Sequence, residues 1–190
     1  MDQQPTDIHG KAYNRNLLVL VLIIGSFCTV LNGTLLATAL PSIMRSFHIS
    51  TATAEWLSTA FLLVNGVMIP VSAWLINRFG SRKMYLTAMS VFFIGTVTAA
   101  VAPNFGTLLT GRIIQGLGVG VTMQLLQTIM LSIFPANKRG AAMGTVVIVI
   151  GLAPAIGPTL SVWIVDNLSW RYLFSIIAPI AGIVIILAFF

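Results

Sequence analysis

The sequence contains very few charged residues. Of its 190 residues, 7% are Asp, Glu, Lys or Arg, whereas soluble domains carry about 25%. Only four residues are acidic, two are histidines, and Cys28 is the single cysteine. One cysteine excludes an intrachain disulfide and a zinc site made of several cysteines. The low charge excludes a soluble enzyme and a disordered chain, because both need many more polar side chains.

Long apolar runs make up most of the chain, which is 57% hydrophobic. A helix needs roughly 20 apolar residues to cross about 30 Å of hydrocarbon, and six runs meet this requirement. Because the runs are continuous rather than alternating, they predict helices and not the strands of a membrane barrel. We therefore expect an all-α integral membrane protein, with an N-terminal tail at 1–16 and a six-helix bundle at 17–190. The predicted spans are 17–40, 56–76, 85–102, 106–134, 141–165 and 170–190, with breaks at Pro41, Pro103 and Pro135.

The basic residues are distributed unevenly between the two sides of the predicted bundle. Seven fall in the N-terminal tail and the second and fourth loops, whereas Arg45 and Arg171 fall on the opposite side. The seven are Lys11, Arg15, Arg78, Arg82, Lys83, Lys138 and Arg139. Short basic loops stay in the cytoplasm, so we expect a multi-pass protein of the cell membrane with a cytoplasmic N-terminus. The net charge of +6 comes mostly from these loops, so the expected partner is the lipid bilayer and not a nucleic acid.

Arg112 lies several residues inside the fourth predicted span, where a charged side chain is costly and usually faces a cavity or a partner. Helical spacing places it on one stripe with Gln115, Met123 and Gln127. We interpret this stripe as lining a substrate pathway. The alternative is that Arg112 extends its long side chain to the outer membrane interface.

Glycine and proline are concentrated in the fourth and fifth spans. Gly116, Gly118 and Gly120 can be explained by close helix packing alone. Prolines within a helix remove backbone donors, so the fifth span is predicted to be kinked and closely packed. The residues of this kink motif are Gly151, Pro154, Gly157 and Pro158.

The loop after the second predicted span combines basic residues with a glycine. These residues are Asn77, Arg78, Gly80, Arg82 and Lys83. Anchoring to the cytoplasmic side explains the basic residues on its own. The glycine adds a more specific interpretation, in which a tight turn clamps neighbouring helix ends.

These segments together resemble the N-terminal six-helix half of a major facilitator superfamily transporter, and are most similar to the 14-span drug:proton antiporters. The matching segments are Leu31–Thr34 with Ala39–Pro41, Ala73–Lys83, Gly111–Gly120, Gly151–Pro158 and Trp170–Phe174. The resemblance implies two three-helix inverted repeats, with substrate bound near the membrane midplane between this bundle and a second one. It also implies that Asn32, Arg112 and Gln115 line the cavity. The second bundle would be a missing C-terminal half or another copy of the chain.

The sequence departs from the family pattern where carboxylates are usual. Asn32 stands at the acidic position of the first-helix motif, and Asn77 replaces the loop aspartate. No carboxylate follows Trp56, and Glu55 is placed at the outer end of the second helix. An amide cannot carry a proton, which argues against proton coupling through this half. No cofactor is expected beyond a possible coupling to a proton gradient.

The favoured interpretation is part of a secondary active transporter, a multidrug or amphipathic-compound efflux permease working by alternating access. One alternative is a transporter of another solute without proton coupling. Another is a truncated membrane interaction or regulatory module. An enzyme is not expected, because the spans contain no Ser/His or paired-carboxylate set, and His9 and His48 lie outside them.

Overall fold

The computed structural model describes residues 15–189, with side chains from Leu17 onward. Residues 1–14 of the predicted tail lie outside the described residues, and residues 15 and 16 begin the first helix. The described residues form six helices long and apolar enough to span a membrane, as predicted. The helices are α1 (Arg15–Phe47), α2 (Thr51–Phe79), α3 (Ser81–Ala100), α4 (Phe105–Ile133), α5 (Ala136–Asn167) and α6 (Arg171–Phe189).

Pro41 does not end the first helix, so this predicted break is wrong. Helix α1 continues through Pro41 to Phe47, because a proline in a membrane helix removes one donor that neighbouring groups can compensate. The helix ends where His48 adopts a positive φ of 53° and the Ile49 N–H bonds the Met44 carbonyl at 3.2 Å. This is the six-to-one hydrogen bond of a Schellman motif.

A single residue, Gly80, connects α2 to α3. Its φ of 82° and ψ of 152° form a conformation that side chains oppose, and its N–H bonds the Ile76 carbonyl at 2.9 Å. The flanking residues Asn77, Arg78, Arg82 and Lys83 are exposed. Arg82 donates to the carbonyl oxygen of Phe189 at the end of α6. The loop is therefore a tight turn that joins helix ends at one end of the bundle.

The six helices form two three-helix units of opposite direction. In the two units α1 corresponds to α4, α2 to α5 and α3 to α6. The packing of α1 on α5 then corresponds to that of α4 on α2, and the packing of α1 on α6 to that of α4 on α3. All four of these contacts exist, and α3 packs against α6. Consecutive helices reverse direction, so α1 and α4 run oppositely. The fold is the predicted pair of inverted repeats.

Glycines set the distance between α4 and its neighbours. A Cβ on Gly118 would lie 2.5 Å from the Ala88 carbonyl oxygen of α3, and one on Gly116 would lie 2.9 Å from the Phe61 carbonyl oxygen of α2. Gly120 has an equally close contact with Met68. Close helix packing therefore explains the positions of these three glycines.

Helix α5 is continuous through Pro154 and Pro158, both of which are exposed. Of the two motif glycines, Gly157 lies directly against the Thr34 side chain of α1, whereas Gly151 faces open space. One turn beyond Gly157, the Ser161 hydroxyl donates to the Leu35 carbonyl at 2.7 Å. The fifth helix is thus packed closely against α1 at Gly157 and Ser161, and Ala153, one turn before Gly157, is also fully buried.

At the end of the bundle opposite Gly80, α6 is tied to α1 and α3. Trp170 is 1% exposed, and its Nε1 donates to Ser46 Oγ at 3.1 Å. The Arg171 guanidinium lies 4.4 Å from the Trp170 ring centroid and donates to the Ala102 carbonyl at 3.0 Å. Arg171 thereby places a positive charge at the C-terminal end of α3, where it interacts favourably with the helix dipole.

We expect Gly118→Ala to destabilise the chain by about 1–3 kcal/mol, because the added methyl group overpacks the α3–α4 contact. Thermal unfolding in detergent would measure the effect. Gly182→Ala is the matched control, since its Cβ would meet Phe93 at an ordinary 3.7 Å. Equal unfolding temperatures for the two variants would contradict the close α3–α4 contact.

Candidate functional site

The side chain of Arg112 is buried between helices and does not reach the membrane interface, with 1% of its surface exposed. Its Nη1 donates to Gln115 Oε1 at 2.8 Å, and its Nε points to the Leu57 carbonyl of α2 at 3.4 Å. The guanidinium carbon lies 4.1 Å from the centroid of the Phe61 ring. Hydrogen bonds and a cation–π contact therefore surround the buried charge.

Gln115 extends this network to two more helices. Its Nε2 donates to Thr96 Oγ1 of α3 at 2.9 Å and lies 3.5 Å from Asn32 Oδ1 of α1. The Thr96 hydroxyl in turn donates to the Phe92 carbonyl at 2.8 Å. Asn32, Thr96 and Gln115 are all buried. We call Arg112, Gln115, Thr96 and Asn32 the polar network, which joins side chains of α1, α3 and α4 and reaches the α2 backbone.

The glycine contacts bring the polar network together. A Cβ on Gly95 would lie 2.7 Å from the Gln115 nitrogen, so only a glycine lets α3 approach α4 at this level. The next residue, Thr96, is thereby within hydrogen-bond distance of Gln115. On the other side of α4, Gly116 allows the α2 backbone to approach, which places Leu57 and Phe61 beside Arg112.

The polar network contains no acidic side chain. Within residues 17–189 the acidic residues are Glu55 and Asp166, and both are exposed. The buried cation is therefore satisfied by neutral acceptors. The Asn32 Nδ2 is also buried and has no hydrogen-bond partner within the described part of the chain. A buried donor without an acceptor is energetically costly.

The other residues of the predicted stripe lie outside this network. Met123 is half-buried and Gln127 is exposed, about three and four turns beyond Arg112 along α4. The basic loop residues lie at the Gly80 end of the bundle, and the kink motif lies on α5. The structure thus brings together Asn32, Arg112 and Gln115 among the predicted site residues.

Sequence reasoning missed Thr96, the Leu57 carbonyl and Phe61. Thr96 stands among apolar residues, but the adjacent Gly95 is a signal of close helix approach that could have identified it. The Leu57 carbonyl has no sequence signal, because any residue offers a backbone oxygen. Phe61 gives no signal either, because an aromatic residue in an apolar span ordinarily packs in the core.

The family model described as Major Facilitator Superfamily matches residues 22–190. The chain belongs to the major facilitator superfamily. This confirms the family resemblance noted from the sequence motifs. It also agrees with the inverted repeats of the structure, which are a known arrangement of transporter folds.

Curated relatives of this superfamily include transporters with and without an assigned activity. The chain is 55% identical over 183 residues to the uncharacterized MFS-type transporter YcnB of Bacillus subtilis, covering 96% of this chain and 39% of that protein. It is 40% identical over 170 residues to the lincomycin resistance protein LmrB of the same species, covering 90% and 36%. It is 33% identical over 172 residues to the multidrug export protein EmrB of Haemophilus influenzae, covering 90% and 34%. The chain spans well under half the length of these relatives.

Solved structures with the same fold include two xylose transporters. The D-xylose-proton symporter superposes with a TM-score of 0.76 at 21% identity, over 92% of this chain and 47% of that one. The proton:xylose symporter XylE superposes with a TM-score of 0.80 at 20% identity, over 93% and 45%. At this identity the likeness shows the major facilitator fold alone.

We expect Arg112→Lys to destabilise the bundle by roughly 2 kcal/mol, the value of a buried hydrogen bond to a charged group. A lysine keeps the charge but lacks the planar fork that reaches both Gln115 and the Leu57 carbonyl. Denaturant unfolding of Arg112→Lys and of exposed Arg45→Lys would measure the difference. Equal stability of the two variants would show that Arg112 needs only its charge.

Proposed function

We propose that this chain forms one bundle of a secondary active efflux permease, which exports amphipathic compounds by alternating access. The observation that carries the proposal is the polar network around Arg112, buried in the interior of a six-helix bundle of the major facilitator fold. Intramembrane polar residues of this kind mark substrate or ion pathways. The relatives LmrB and EmrB, by their names, act in drug resistance and multidrug export. The proposed activity is transport without covalent chemistry on the substrate.

Asn32 supports a substrate role for the polar network. Its Oδ1 makes the longest hydrogen bond of the network, 3.5 Å to Gln115, and its Nδ2 has no acceptor within the described residues. The polar network is therefore bonded less firmly to α1 than to α3. A carbonyl or hydroxyl oxygen of a substrate would satisfy the Asn32 donor, and small movements of α1 would expose it.

A second bundle is a necessary partner in this proposal. The face of α2 exposes the large apolar residues Leu62, Leu63, Val67 and Trp74, and the relatives are more than twice the length of this chain. A missing C-terminal half or another copy of the chain would supply that bundle. The proposed substrate site lies between the two bundles, near the midplane.

A transporter of another solute without proton coupling is the second candidate. The observation that favours it is the absence of a carboxylate from the polar network within residues 17–189. Coupling to a proton gradient would then depend on residues of the other bundle.

Drug efflux tests the first candidate. The full-length gene, expressed in an efflux-deficient bacterium, should lower ethidium accumulation and raise lincomycin resistance. Arg112→Ala should abolish both effects at matched membrane levels, whereas Arg45→Ala should retain them. Unchanged accumulation with the parent gene would contradict drug export, and full activity of Arg112→Ala would remove the polar network from the mechanism. A full-length gene that encodes no second bundle would favour the interaction module.

We expect Asn32→Asp to introduce or steepen a pH dependence of transport, because a carboxyl group binds and releases a proton whereas an amide does not. Transport rates from pH 5.5 to 8.5, about 1.5 units on either side of neutrality where a buried carboxyl can titrate, would show the change. Asn32→Leu, which also removes the amide but adds no titratable group, is the control. Identical pH profiles for all three proteins would exclude a coupling role for this position.

We propose that the Gly80 end of the bundle is cytoplasmic, on the basis of the seven-to-two distribution of basic residues. Reporter fusions after Lys83 and Lys138 should give cytoplasmic signals, and fusions near Arg45, Asn104 and Asp166 external ones. An external signal at Lys83 would reverse the orientation.

A further inference from the structure

The hydrogen bonds of the polar network run in one direction. The Arg112 guanidinium can only donate, and its Nη1 donates to Gln115 Oε1 at 2.8 Å. At the other end the Phe92 carbonyl can only accept, and it receives the proton of the Thr96 hydroxyl at 2.8 Å. Thr96 therefore faces Gln115 with oxygen lone pairs, and it accepts from Gln115 Nε2 at 2.9 Å.

The orientation of the Gln115 amide decides which atom of Asn32 faces it. Arg112 requires the oxygen of Gln115 and Thr96 requires its NH₂ group, so this amide is fixed from both sides. Its Nε2 lies 3.5 Å from Asn32 Oδ1, and the reverse orientation of Asn32 would bring two NH₂ groups together. The Asn32 Nδ2 is thus the free end of the network, and it is buried without an acceptor in the described part of the chain.

We propose that Asn32 is a specificity-determining residue, which selects compounds that bring a hydrogen-bond acceptor to its Nδ2, such as a carbonyl or ether oxygen. This rests on the proposed function, because a transported compound must reach Asn32. A buried donor without a partner gains strongly from a new acceptor. An ammonium group has only donors, and the Arg112 charge repels it. The substrate group that contacts Asn32 is therefore a neutral or anionic acceptor.

Equilibrium binding of two compounds to the purified full-length protein tests the proposal without a transport step. Lincomycin offers an amide carbonyl and hydroxyl oxygens, whereas ethidium is a cation with amino groups and no oxygen. We expect Asn32→Leu to weaken lincomycin binding about fivefold, the value of one hydrogen bond, and to affect ethidium binding much less. Asn32→Asp, measured at about pH 8.5 where a carboxyl group is ionised, should weaken lincomycin binding and strengthen ethidium binding.

Gln115→Glu tests the direction of the network without changing Asn32. A carboxylate at this position accepts from Arg112 but cannot donate to Asn32, so Asn32 must turn its NH₂ group toward it. The oxygen of Asn32 then becomes the free end. We expect lincomycin binding to weaken about fivefold, although the Asn32 side chain is still present.

Two further variants separate the direction of the network from charge and from the loss of a buried hydroxyl. Gln115→Glu combined with Asn32→Leu adds the same charge but leaves no amide to turn, so ethidium should bind it less tightly than Gln115→Glu alone. Thr122→Val is the matched control for a buried polar residue. Thr122 is fully buried, and its hydroxyl donates to the Gly118 carbonyl of its own helix at 2.9 Å. This variant should bind both compounds as the parent protein does.

Three results would overturn the proposal. The parent protein could fail to bind lincomycin, Asn32→Leu and Asn32→Asp could bind it as tightly as the parent, or Gln115→Glu could bind it unchanged. The last result would mean that Asn32 does not follow the orientation of Gln115, and it decides the question even if the Asn32 variants fail to fold. Binding that follows the expected pattern without export in cells would contradict the efflux function alone, so the two proposals fail separately.

Discussion

A guanidinium group buried in an apolar bundle must have its N–H groups hydrogen-bonded, and Arg112 meets this requirement without a carboxylate. Its donors use Gln115 and the Leu57 carbonyl, and the Phe61 ring lies beside its charge. The cost of burying a charge is several kcal/mol, so the surrounding acceptors must be in place whenever the bundle is packed. The hydrogen bonds of Arg112 therefore require α2 and α4 to keep their relative positions. Gln115 extends this requirement to α3.

The polar network can form because the helices approach closely, and glycine residues allow this close approach. Gly95 and Gly116 lie on opposite sides of the network and allow α3 and α2 to reach α4. Within the described residues, no comparable glycine brings α1 against the network: a Cβ on Gly33 would lie 3.9 Å from Phe61, an ordinary contact. The α1 member, Asn32, has the longest bond and an unsatisfied donor. The network is thus bonded more firmly to α3 than to α1.

The six spans and the Arg112–Gln115 pair could be predicted, because they depend on apolar length and on a helical spacing of three residues. The inverted repeats were expected from the family resemblance. The hydrogen bond from Gln115 to Thr96 could not, since it depends on how closely α3 and α4 pack. Gln127 is exposed because it lies about 60° around the helix from Arg112 on one side, whereas the buried Gln115 lies about 60° from it on the other side. Pro41 was expected to end α1, but proline alone does not stop a helix whose neighbours compensate for the lost donor. The contact between Arg171 and Ala102 could not be predicted either, because it joins two helix ends that are far apart in the sequence.

A double-mutant cycle between Arg112 and Gln115 tests most directly whether the buried charge depends on the polar network. The free energy of unfolding of the full-length protein in detergent would be measured for Arg112→Met, Gln115→Leu and the double variant. We expect a coupling of about 1–3 kcal/mol, because each single change leaves a buried partner unsatisfied while the double change removes both. Additive effects, within about 0.5 kcal/mol, would show that Arg112 and Gln115 are stabilised independently and would contradict the account.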